Sequence, residues 1–181
     1  MNLEKAKNLL CKGRTVIILL VVYFIFRNIG NFYVVPQFIN YSGGPSILDA
    51  TIHYSPEYAD NLLCKIGAEG REFYKNEILI FDFVFPCVVF MFFSSFYLFL
   101  LKKIESSFDI VLLIPLIALV TDFTENILIL ITIAGFPDTN PVIIRTASVF
   151  TIMKSIAALM IIAVIPVLLV TLLVKKIRKK N

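Results

Sequence analysis

The chain of 181 residues has no tryptophan, one histidine (His53) and three cysteines, and each shortage argues against a class of protein. Cys11, Cys64 and Cys87 are widely spaced, with no C-x-x-C and no matched pair, so neither a disulfide framework nor a zinc site is indicated. With one histidine there is no H-E-x-x-H, and no G-x-S-x-G or P-loop pattern occurs either. Charge is scarce too: Asp, Glu, Lys and Arg make up 17% of the chain, against about a quarter in soluble domains. No aromatics combine with a soluble basic groove, so nucleic-acid binding is unsupported, and no metal or cofactor is expected.

What remains is overwhelmingly apolar. Hydrophobic residues reach 59% and the mean hydropathy is +0.87. Nearly all of these residues fall in four blocks, about 15–35, 78–101, 110–133 and 142–174, each near or above the ~20 residues that cross a bilayer as a helix. We therefore expect an all-α, four-helix transmembrane bundle forming a single polytopic domain over 1–181. The first block follows Lys5, Lys7, Lys12 and Arg14 as a signal peptide would. No A-x-A-like site follows, and apolar character resumes after Arg27-Asn28, so a retained helix is the expectation. Pro86, Pro115 and Pro166 lie inside the blocks, tolerable where neighbouring helices satisfy the freed carbonyls.

Residues 36–77 form the longest polar stretch and are expected to be an outer loop. Within it Tyr54-Ser55-Pro56-Glu57 reads as a helix start: Ser55 as N-cap, Pro56 where its missing N–H costs nothing, Glu57 at the positive end of the dipole. Tyr58, Leu62, Leu63 and Ile66 recur at helical spacing, and Gly67 can end the turn. A short amphipathic helix on the bilayer surface or over the bundle mouth follows. Asn140-Pro141 is expected to cap the last helix in the same way.

The net charge of +4 comes from basic clusters before the first block, between the second and third, and after the fourth. Four crossings place all three on one side, so both termini should be cytoplasmic.

Against this background the stretch Ala118–Ala134 stands out. Asp122, Glu125 and Asn126 sit at i, i+3 and i+4 and share one face of an otherwise lipid-compatible helix. Arg27, Asp82 and Lys154 bring one ionisable group from each of the other blocks. Counting about 1.5 Å per residue from the basic ends puts Arg27, Asp122 and Glu125 in the outer half of the core, with Asp82 and Lys154 at its boundary. Such groups need partners, protonation or a water-filled cavity. Two arrangements fit. In one, Arg27 pairs with Asp122 or Glu125, and Asp82 with Lys154, fixing helix order. In the other, the six residues line a pocket for a small, lipidic or cationic ligand, or a seat for another membrane component or a second copy. A lipid-modifying enzyme with Asp122 and Glu125 as acid and base, and a proton-coupled carrier, are the alternatives.

Three short patterns, Y-S-P-E (Tyr54 to Glu57), G-x-x-G-R-x-x-Y (Gly67 to Tyr74) and D-x-x-F-P (Asp82 to Pro86), together with D-x-x-E-N (Asp122 to Asn126), resemble those of a family of small four-helix multi-pass membrane proteins. That resemblance implies fold and topology, and no activity. In helix count, length, cytoplasmic termini and basic tail the chain is also similar to the EXPERA group of sterol isomerase and sigma-2-receptor-like proteins. The catalytic His and Glu of that group match no position here, so no residue role is carried over.

Overall fold

A lipid-facing backbone can bond only to itself, and the apolar segments among the described residues meet that demand as helices. In the computed structural model, residues 3–44, 48, 51–106 and 108–179 are described. Asp49 and Ala50, together with Lys180 of the basic tail, lie outside them. The elements are α1 (Leu3–Leu10), α2 (Gly13–Ile29), α3 (Val35–Ser42), α4 (Pro56–Lys65), α5 (Gly67–Glu77), α6 (Val84–Ile104), α7 (Leu113–Gly135) and α8 (Pro141–Arg178). A π-helical turn at Gly30–Val34 joins α2 to α3, a second at Ile78–Asp82 leads from α5 toward α6, and a 3-10 turn at Asp109–Leu112 opens α7.

Four helices are therefore long and apolar enough to cross a membrane: Gly13–Ser42, Gly67–Ile104, Asp109–Gly135 and Pro141–Arg178. The last two agree with the expected blocks, whereas the first two overrun theirs into the presumed outer loop. Pro36 looks like a helix end because it lacks an N–H. The π turn just before it changes the hydrogen-bond register, and α3 continues with Pro36 in its first turn. On the other flank, α5 is polar, with Glu69, Glu72 and Glu77. Its polarity reflects a helix projecting past the apolar zone, not an absence of helix.

The charges mark two ends. At the basic end Lys7 meets Asp109 at 2.5 Å, and Glu105 holds Lys175 at 2.7 Å and Lys179 at 2.9 Å. The described ends of the chain and the α6–α7 connection thus lie together.

The opposite end is capped by α4. Ser55 is its N-cap, accepting from the Tyr58 N–H at 3.2 Å, and Pro56 opens the first turn. Hydrogen bonding at the backbone of Glu57, and then from Ser55, holds the Glu57 carboxyl below its usual range. Ala59, Leu62 and Leu63 turn inward onto Phe38, Tyr74, Ile78, Ile129, Ile133 and Ile144. The amphipathic helix consequently closes the bundle mouth. The G-x-x-G-R-x-x-Y run has a physical reading here. Gly67 takes φ +69 and breaks α4 from α5. Gly70 lets α5 approach so closely that a Cβ there would stand 2.7 Å from that of Ile66. Arg71 donates to the Leu63 carbonyl at 2.7 Å and lies 4.4 Å over the Phe136 ring, while Tyr74 is buried against Phe38.

The long helices are not packed evenly. The closest pair is α7 with α8, α6 packs on both, and α2 packs along α6. Tyr23 stacks on Phe85 and Phe92, and Phe26 meets Phe81, across the α2–α6 seam. Two hydroxyls tie the remaining seams: Ser95 donates to the Leu10 carbonyl at 2.7 Å, and Tyr97 to the Ile161 carbonyl at 2.6 Å. The second bond falls beside the Ile162 carbonyl, which Pro166 leaves without its helical donor.

Candidate functional site

The α7–α8 hairpin sets the polar centre. Facing residues are equidistant from its connection: Asp122 and Lys154 each lie thirteen residues from its ends, Glu125 and Thr151 each ten. Lys154 Nζ reaches Glu125 Oε2 at 2.5 Å and Asp122 Oδ1 at 3.5 Å. Thr151 donates from Oγ1 to Glu125 Oε1 at 2.6 Å. The Glu125 side chain is fully enclosed, whereas those of Asp122 and Lys154 keep 21% and 19% of their surface exposed.

The cation closing on the two carboxylates is thus Lys154, not Arg27, and Lys154 lies level with them and not above them. Depth counting failed because α8 spans 38 residues, more than a bilayer needs, so distance from its basic end overstated the height. Register in the hairpin is the better ruler.

Asn126 has a different task. Its Nδ2 donates to the backbone carbonyl of Asp82 at 2.8 Å. That carbonyl is four residues before Pro86, the one whose helical donor proline removes. D-x-x-F-P and D-x-x-E-N are therefore two halves of one contact between α7 and the entry to α6.

The six residues singled out from the sequence mostly converge. Arg27, Asp82, Asp122 and Lys154 line one cavity of about 430 Å³ bounded by the first span, the α5–α6 segment, α7 and α8. Glu125 and Asn126 stand behind its wall. Toward the capped end the lining is mixed, with Asn31, Tyr74 and Glu77 beside the charges and Val34, Val35, Phe38 and Phe81 among them. Toward the basic end it is apolar, with Val89, Phe93, Ala118, Leu119, Ala158, Ile161 and Ile162. Both π turns contribute, Gly30, Asn31 and Val34 from one and Phe81 and Asp82 from the other.

Sequence reading missed Thr151 and Glu77. Thr151 belongs to a small-residue stripe, Ala147, Ser148, Thr151, Ser155 and Ala158, whose spacing marks a close helix contact. Glu77 was hidden by the mistaken loop. A further polar knot secures the cap: Ser148 Oγ accepts from the Tyr54 N–H at 3.0 Å and lies 2.9 Å from His53 Nδ1, and Thr139 donates to Asp60 at 2.6 Å. Ser148 is buried, so this pair is an anchor for the segment before α4. The serine of the Asn40-Tyr41-Ser42 glycosylation sequon is likewise buried, and its hydroxyl bonds the Gly44 carbonyl. Among the described residues, no group of three or more His, Cys, Asp or Glu side chains is placed to hold a metal ion.

Fold and composition together define an integral, multi-pass membrane protein with four apolar helices of spanning length. No family model, curated protein or solved structure matches the chain.

Proposed function

We propose that this protein binds a small amphipathic or lipidic molecule in the cavity beside the Asp122–Lys154 pair, with both termini in the cytoplasm. The cavity itself carries the reading. Its volume of about 430 Å³ is in the range of ligand pockets, and its lining joins a few charged and polar side chains to a larger apolar surface, as an amphiphile needs. The first span packs on α6 and stands apart from α7 and α8. A ligand would therefore enter from the side, out of the bilayer. Lipid-modifying chemistry and proton-coupled transport fit less well, because Glu125 is enclosed and engaged by Thr151 and Lys154. That leaves Asp122 without a second catalytic carboxylate on its own helix. For orientation, the three basic clusters share one end, the arrangement that the positive-inside rule assigns to the cytoplasm.

The test is to fill the cavity. Ala158 is exposed within it, so Ala158→Phe adds bulk without opening the core. Native mass spectrometry of protein purified in mild detergent should find a retained lipidic molecule on the wild type and lose it in the variant. Equal retention by both would reject the cavity as the site.

A further inference from the structure

At the basic end of the bundle, we infer that the seam between the start of α2 and the end of α6 holds an anionic phospholipid of the leaflet it faces. The head group lies among Lys12, Arg14 and Lys103. This surface is separate from the cavity and does not rest on its reading. Three observations carry the inference.

The first is which cations are already engaged. Lys7 is closed on Asp109, and Lys175 and Lys179 share Glu105. Lys12, Arg14, Lys102 and Lys103 are exposed, and none of them joins an ion pair among those of the described residues. Asp109 and Glu105 are thus taken up by α1 and α8, which leaves the α2 side of this end positive. The second is how the free cations converge. Lys103 Nζ lies 5.4 Å from the centre of the Phe99 ring, and a Cβ on Gly13 would stand 3.4 Å from the same ring. Lys12 and Arg14 flank Gly13 in the chain, so two helices bring three cations around one half-buried aromatic. The bend that carries Lys12 is tied down: Thr15 donates to the Leu9 carbonyl at 2.9 Å, and Ser95 of α6 to the Leu10 carbonyl at 2.7 Å. Like charges held together repel one another, and an anion placed among them relieves the repulsion. The third is their level. The first span begins at Gly13 and the second ends at Ile104, so these cations stand where the apolar helices stop, at the depth of lipid phosphates. Basic sites between spans at that depth suit anionic head groups. Below Arg14, the exposed residues Ile17, Val21 and Phe24 follow on the same helix stripe. They lead into a shallow groove lined by Phe24, Ile25, Asn28 and Ile29. An acyl chain laid along that stripe continues from a phosphate at Arg14, whereas a soluble anion would leave it unused.

The experiment is competitive lipid retention by the full chain. Protein in micelles containing equal amounts of phosphatidylglycerol and phosphatidylcholine with the same acyl chains is analysed by native mass spectrometry. Wild type should retain the glycerol lipid with roughly tenfold preference or more, and Arg14→Gln alone should lower that preference about fivefold, the worth of one basic residue at a membrane surface. Two charge-matched double variants then separate a site from net charge. Lys12→Gln with Lys103→Gln should bring the two lipids close to parity, whereas Lys176→Gln with Arg178→Gln, on α8, should leave the preference near that of wild type. No preference in the wild type, or an equal loss in both doubles, would overturn the assignment. Ala158→Phe keeps the cavity out of the result: the preference should survive in that variant, and its disappearance there would place the anionic lipid in the cavity and not on the seam. Melting curves for every variant in lipid-free detergent identify any loss that is merely unfolding.

Discussion

Replacing Lys154 with methionine would ask how much of the bundle's stability rests on one ion-paired centre. Methionine keeps the length and most of the apolar stem, so the change removes the charge that lies 2.5 Å from Glu125 and 3.5 Å from Asp122. An ordinary interhelical polar contact in a membrane is worth about 0.6 kcal/mol and at most about 1.7. Removing one partner of a buried pair costs about 3–5 kcal/mol, because the remaining charge is stranded. The enclosed Glu125 side chain places Lys154→Met in the second regime. Thr151 donates to the other carboxylate oxygen and cannot replace the charge. Unfolding by SDS titration in mixed micelles, followed by circular dichroism, should therefore show a loss of about 3–5 kcal/mol. Adding Glu125→Gln removes the stranded charge and should recover about 1–3 kcal/mol of that loss. A single variant within about 1 kcal/mol of wild type, or a strictly additive pair, would refute the argument. It would show that water or lipid heads compensate Glu125 as well as Lys154 does.

Other consequences can be checked in the same assay. Asn126→Leu should cost about 1 kcal/mol through the Asp82 carbonyl it leaves unbonded. That cost should shrink in a Pro86→Ala background, where the helix supplies its own donor, and equal costs in both backgrounds would contradict the pairing. Gly70→Ala should destabilise by about 1–3 kcal/mol, since its Cβ would stand 2.7 Å from that of Ile66; a neutral result would mean α5 moves freely against α4. At the basic end, hydrogen bonds from Lys175 and then Lys179 hold the Glu105 carboxyl down to about 2. A depressed carboxyl stabilises above its unfolded value, about 4.3, and loses that contribution as pH falls through the folded one. The melting difference between wild type and Glu105→Gln should be flat above about pH 5 and close between about 4.3 and 2. It should also weaken with added salt. For topology, Cys64 is exposed and should react with an impermeant thiol reagent from outside the cell, whereas a cysteine at Lys179 should react only after permeabilisation. Cys11 is buried and would stay unlabelled on either side, so it cannot serve as the control.

Composition and local pattern were enough to define the class and much of the outline. Four apolar runs must become helices in lipid, since no other open structure satisfies their backbone. Caps such as Ser55-Pro56 and Asn140-Pro141 act within a single turn, so they too are readable in order along the chain. The reading went astray where a longer-range circumstance overrode a local one. Pro36 fails to end its helix because a π turn precedes it, and α5 remains helical although its polar residues suggested a loop. The candidate site shows the same division. That Asp122, Glu125 and Asn126 require partners follows from their setting in an apolar helix. Which partners they take depends on hairpin register. It brings Lys154 and Thr151 to the height of the carboxylates, while the packing of α6 on α7 brings Asn126 to the carbonyl that Pro86 leaves unbonded. Arg27 is left on the far wall of the cavity, because α2 packs on α6 and not on α7. Hydropathy determines that a segment enters the bilayer, but it is equal on every side of an apolar helix. Only close packing, through small residues and aligned polar groups, chooses the neighbour.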